Sequence, residues 1–186
     1  NIPVLGYPWA EEHGIGENRG VELLSRCGKF LVPSDWIGNL SVLTAFPPRH
    51  EARPPRTARA LALDPAKAYA TLLVSDGDNL CFWNGPEGLL SRYVEGLEDG
   101  RGFPVAFTLG PSIVDLMPPV ADAVLGRIRA TDGLGGAVSG VGYMYMGHYG
   151  KAFGAERPRV AREFLDLTAR YLGYCGQDWL WVMCHG

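Results

Sequence analysis

The sequence lacks any C-x-x-C pair: its four cysteines, Cys27, Cys81, Cys175 and Cys184, are scattered along 186 residues. A zinc cluster needs closer spacing, and a disulfide framework belongs to smaller chains. The four are therefore expected as buried thiols, although their even number leaves a disulfide open. Long apolar runs are also missing. The longest is six residues, Trp179 to Cys184, against the roughly 18 that a membrane span requires. No charged head precedes an apolar segment at the start, so no membrane span and no signal peptide are read in this chain. Since it opens on Asn1, a processed or partial chain is the expectation. Excess positive charge is absent as well: 17 basic against 20 acidic residues leave a net −3. Without a cationic field to collect phosphates, nucleic acid is excluded as an expected partner. Neither a dinucleotide nor a Walker-type glycine loop occurs, and no internal repeat is found.

What is present is a globular composition, 47% hydrophobic with 15 Tyr and Phe and five Trp, in one domain's worth of chain. A single domain over residues 1–186 is expected. Gly and Pro are abundant, 25 and 14, which predicts many turns. Short apolar segments alternate with helical patterns. Pro3–Tyr7, Lys29–Val32, Tyr69–Val74, Pro104–Leu109, Gly136–Ser139 and Trp179–Met183 read as strands, with a weaker apolar segment at Leu40–Phe46. Tyr69–Val74 is the clearest and is expected to be buried on both faces. Helices are predicted around Val21–Ser25, from Pro86 through Leu97, from Pro118 through Ile128, and over Arg159–Leu172. Residues 47–67, with two proline pairs, read as a solvated surface connection. This order predicts a parallel-stranded α/β fold. An open sheet and a TIM-like (β/α) barrel, or a truncated part of one, satisfy it equally.

In such folds ligands bind beyond the carboxyl ends of the strands. The polar and aromatic residues that follow apolar runs are Trp9, Glu11, Glu12 and His13, then Asp35 and Trp36, then Asp76, Asp78 and Asn79. Later come Tyr143, Tyr145, His148, Tyr149 and His185. Acids, amides and flat rings on one rim suit a carbohydrate: rings stack on sugar faces, amides and carboxylates bind hydroxyls, and paired carboxyl groups cleave acetals. Each residue also has a plain structural use. Asp76-Gly77-Asp78-Asn79 is equally a tight turn with a positive φ at its glycine, the early glutamates suit a helix N-terminus, and the tyrosines, histidines and Trp83 suit a core.

Ser139-Gly140-Val141-Gly142-Tyr143-Met144-Tyr145, together with Ser75-Asp76-Gly77-Asp78-Asn79, resembles the C-terminal domain of the GxGYxYP putative glycoside hydrolases. Leu5–Trp9, Pro33–Trp36 with Asn39-Leu40-Ser41, and Arg101–Pro104 match as well, so the likeness runs from residue 4 to about 150. Met146 stands where the motif ends in proline. The resemblance implies a glycoside hydrolase-like domain beside an N-terminal companion domain, in an extracellular or periplasmic setting, with no cofactor. On this reading Asp76 or Asp78, with Glu12, flanks a glycosidic bond. Trp9, Trp83, Tyr143 and Tyr145 hold sugar rings, and Glu11, Asp35, Asn79, His148 and His185 complete the substrate site. The alternatives are a non-catalytic carbohydrate-binding or accessory domain and, from Asp76, Asp78 and a histidine, a metal-dependent deacetylase.

Overall fold

The computed structural model describes residues 1–8, 14–55, 62–85, 88–95 and 102–184. Five short strands form two parallel sheets. The first pairs β1 (Ile2–Leu5) with β2 (Lys29–Val32), and α1 (Glu17–Arg26) makes the crossover between them. The second has the order β3 (Leu73–Val74), β4 (Ala106–Leu109), β5 (Gly133–Gly136). A parallel bridge from Gly136 to Leu180 continues it. An antiparallel bridge joins Leu31 of β2 to Tyr143. The parallel α/β expectation is met, in two small sheets and, among the described residues, without closure into a barrel.

β2 shows why the core forms where it does. Its residues alternate sides as a strand must. Phe30 and Val32 enter the main core with Phe107, Leu109 and Leu134, while Leu31 turns to a second cluster with Val21, Val138, Tyr143 and Tyr145. The main core is closed by α3 (Ile113–Leu116), α4 (Pro118–Arg127) and α5 (Arg157–Cys175). Prolines occupy the first turns of α4 and α5, where a missing N–H costs nothing. Val160, Phe164 and Thr168 repeat at four-residue intervals on the buried stripe of α5, and Gly176 ends the helix with φ 65°.

Several expectations change. The segment expected to be the most buried strand pairs only through Leu73 and Val74, and Tyr69, Leu72 and Leu73 are exposed. β3 has β4 on one side and, among the described residues, no strand on the other, so its apolar residues lie on an edge. Leu40–Leu43 is a helical turn, α2, entered from Asn39 at φ 62°. β5 begins three residues before the predicted strand. Residues 88–95 form a π-helical turn, Leu90–Glu95, rather than a regular helix. The arginine-rich connection is strapped down: Arg49 and Arg53 pair with Asp122 at 3.3 and 3.2 Å, and His50 meets Asp115 at 2.5 Å. Of the cysteines, all free, only Cys175 is fully buried, which pushes its thiol up to about 12; Cys27 and Cys184 are exposed. No helix among the described residues is long and apolar enough to cross a membrane.

Candidate functional site

The Asp76–Asn79 segment leaves β3 as a tight turn. Asn79 donates its N–H to the Asp76 carbonyl at 3.1 Å, and the left-handed residue is Asp76, at φ 63°, not the glycine. Gly77 is required for a different reason. An added Cβ would lie 1.6 Å from the carbonyl oxygen of Thr108. The turn is held against β4 and the residue after it by two bonds, Gly77 N–H to Thr108 Oγ1 (3.2 Å) and Gly110 N–H to Gly77 O (2.8 Å), and is braced from its other side by Trp83 Nε1–H to Gly77 O (3.0 Å). Trp83, expected as a sugar platform, is 1% exposed and serves as the turn's internal prop.

This turn throws Asp76 and Asp78 into a cavity of about 360 Å3, also lined by Asn79 and Phe82. Tyr7, after β1, and Glu17, in the first turn of α1, form another wall. Val138, Tyr143, Trp181 and Met183 complete it from beyond β5 and the Leu180 bridge. The cavity therefore lies at the carboxyl ends of strands in both sheets. Its size falls in the small-molecule range of about 300–1,000 Å3. A hollow of about 400 Å3 against Arg53, Pro54 and Leu125 is roomier, but no carboxylate lines it among the described residues.

Electrostatics single out Asp78. It is 8% exposed, and burial, helped by the charges of Asp76 and Glu17, lifts its carboxyl to about 6. Burial also raises the Tyr7 phenol, and the negative charges of Glu17, Asp78, Asp35 and Asp76 add to the effect. No Lys or Arg lines the cavity among the described residues. Trp181 brings an indole Nε1 that is buried and has no acceptor among the described residues, a donor open to a ligand oxygen.

The GxGYxY motif builds the opposite wall. Gly140 has φ 109°, and a Cβ on Gly142 would fall 2.4 Å from the Phe30 ring, so the motif's glycines let the chain lie against β2. Tyr143 and Tyr145 stand edge to face with centroids 5.7 Å apart and hydroxyls 3.2 Å apart. Only Tyr143 reaches the cavity, where burial first and hydrogen bonding to Tyr145 second raise its phenol. Tyr145 is core: its hydroxyl donates to Asn18 at 2.9 Å.

Other expected site residues are used elsewhere. Both Asp35 oxygens accept the Tyr7 N–H, at 3.1 and 2.9 Å, so Asp35 positions a wall of the cavity without lining it. His148 faces Glu22 at 3.4 Å, outside the cavity lining. Trp9, Glu11, Glu12, His13 and His185 lie outside the described residues. Among the described residues the cavity is also lined by Glu17 of α1, and by Tyr7, Phe82 and Trp181, none of which stands out in the sequence as a site residue. The available signal was Gly16-Glu17 four residues ahead of Val21, the pattern of a helix opening on an acid. Among the described residues no group of three or more His, Cys, Asp or Glu side chains is placed to hold a metal ion, so the deacetylase alternative finds no ligand set there.

The fold and site are thus those of an α/β protein with an acidic, aromatic cavity at the carboxyl ends of its parallel strands. Residues 66–186 match the model described as GxGYxYP putative glycoside hydrolase C-terminal domain, and residues 1–45 match the GxGYxYP third domain. The chain belongs to the GxGYxYP family. Tyr7 and Glu17 come from the first matched stretch and the remaining cavity residues from the second, so the cavity is built at their junction. A solved structure described as a putative hydrolase from Bacteroides thetaiotaomicron VPI-5482 has the same fold, with TM-score 0.67 and 22% identity. The alignment covers 99% of this chain and 38% of that one. No curated protein matches the chain.

Proposed function

We propose that the cavity binds a neutral sugar and hydrolyses its glycosidic bond with a pair of carboxyl groups. The observation that carries this reading is Asp78, a buried acid raised to about 6 beside Asp76 and Glu17. A carboxyl group that keeps its proton near neutral pH is the part a general acid requires. Asp78 gives its proton to the leaving oxygen as the carbon–oxygen bond breaks. Glu17, across the cavity, attacks the sugar carbon or takes a proton from the attacking water. With no cation among the described residues of its wall, the cavity disfavours phosphorylated substrates and suits uncharged hydroxyls. Asn79 and the indole N–H of Trp181 orient those hydroxyls, and Tyr143 supplies a phenol beside Glu17.

The same reading treats the two parallel sheets as part of a larger TIM-like (β/α) arrangement, since residues from both converge on one mouth as barrel loops do. A companion domain completing it and an extracellular or periplasmic setting follow from the family reading.

The test is product analysis on neutral oligosaccharides. Glu17→Gln is expected to lower the cleavage rate at least a hundredfold. Glu22→Gln, whose native carboxylate pairs with Arg19 and Arg26 outside the cavity, is expected to cleave normally. A Glu17→Gln protein cleaving at the wild-type rate would remove Glu17 from the chemistry.

A further inference from the structure

Trp36 is the most exposed large apolar side chain among the described residues, at 94%. It sits on the loop after β2 with φ 62°, and Asn39, which closes the loop, has the same φ. A β-carbon in this region is disfavoured, and an indole left in water recovers nothing by burial. Folding alone gives no reason for this residue here.

The loop's anchoring says where the indole stands. On one flank the Asp35 carboxylate holds the N–H of Tyr7, a cavity wall residue. On the other, Leu80 N–H donates to Pro33 O at 3.0 Å, and Asn84 Nδ2 donates to Gly38 O at 3.4 Å. Between those two anchors runs the 3-10 turn Leu80–Trp83, which brings Phe82 to the cavity with 44% of its surface still open. Trp36 thus lies on a loop bonded to two segments that each carry a residue of the cavity wall, Tyr7 and Phe82.

We propose that Trp36 is a stacking platform for a sugar unit beyond the one held in the cavity, with Phe82 at the mouth between them, so that the ligand is a neutral oligosaccharide. This rests on the carbohydrate reading of the cavity and adds an outer subsite and chain length as a determinant of binding. A flat, uncharged ring open to water offers the apolar face of a pyranose a surface to stack on, and it leaves the hydroxyls hydrated.

The experiment compares wild type, Trp36→Ala and Trp36→Tyr on cello-, xylo-, manno-, malto- and chito-oligosaccharides of two to six units, reading KM and kcat, or Kd where a sugar binds without cleavage. For the series that is recognised, Trp36→Ala is expected to raise KM for hexamers at least tenfold more than for dimers, and Trp36→Tyr to recover most of the loss. An equal loss on dimers and hexamers overturns the platform and marks a structural role. Recognition that is the same in Trp36→Ala and wild type at every length overturns it while leaving the cavity reading standing. A Trp36→Ala protein altered only in its sedimentation mass overturns it in favour of a protein contact. Failure of wild type to bind or cleave any series overturns both.

Discussion

Gly77→Ala is expected to cost about 4 kcal/mol or more, enough to leave much of the protein unfolded, because a domain has only about 5–15 kcal/mol in hand. The added Cβ would stand 1.6 Å from Thr108 O and 2.4 Å from Thr108 C. Both are backbone atoms of β4, so no flexible side chain can swing aside. Relief requires lifting the turn off β4, which breaks the two bonds to Gly77 O, from Gly110 N–H and Trp83 Nε1–H. Lifting it also opens space around Trp83, a cavity cost of the kind seen when large buried side chains lose their neighbours. Urea denaturation checks this, with Gly126→Ala as control: a Cβ there in α4 meets nothing within 4 Å, and alanine in a helix is favoured by up to about 1 kcal/mol. Equal midpoints for Gly77→Ala and wild type would show that the turn is not packed as described.

Asp78→Asn is expected to stabilise the protein, and to do so by an amount that grows with pH. The carboxyl lies at about 6 in the folded state against 3.8 for an ordinary aspartate. Between these values the folded protein holds a proton that the unfolded chain has released. Stability is therefore fully present below about pH 3.8, falls as pH rises through the window, and settles above about pH 6. A shift of this size corresponds to roughly 3 kcal/mol. Asparagine keeps the shape and carries no titration, so the variant's advantage over wild type should widen by about 2–3 kcal/mol between pH 3.5 and pH 7.5. Chemical denaturation at several pH values reads this directly. A constant difference across that range would mean that Asp78 is not held protonated by burial. Gaining stability by removing a residue is the mark of a group kept for its chemistry.

Local pattern carried part of the fold. Lys29–Val32 is a strand with the bounds expected, and α4 and α5 begin at their prolines and follow their apolar periods. These signals depend on residues within a few positions of one another. Tyr69–Val74 is less buried than its sequence suggests because burial depends on neighbours, and among the described residues β4 alone lies beside it. In the site, Asp76, Asp78, Asn79 and Tyr143 were found from their place after apolar runs. Trp83 was misjudged because an aromatic next to a polar motif gives no sign of which way its ring turns; the Gly77 carbonyl turns it inward. The favoured first-loop acid was Glu12, which lies outside the described residues, while Glu17 lines the cavity. Glu17 was not legible because the apolar pattern of α1 begins at Val21, whereas the helix extends back to Glu17 and brings that first-turn carboxylate to the cavity.

If Asp78 is the acid of the proposed glycoside cleavage, the pH dependence of kcat/KM on a cleaved oligosaccharide reports it. The rate is expected to fall on the alkaline side with an apparent pKa near 6, matching the carboxyl raised by burial. An Asp78→Asn protein is expected to bind the same sugar and lose cleavage by about a thousandfold. A profile flat from pH 5 to pH 8, or cleavage by Asp78→Asn at the wild-type rate, would contradict that role.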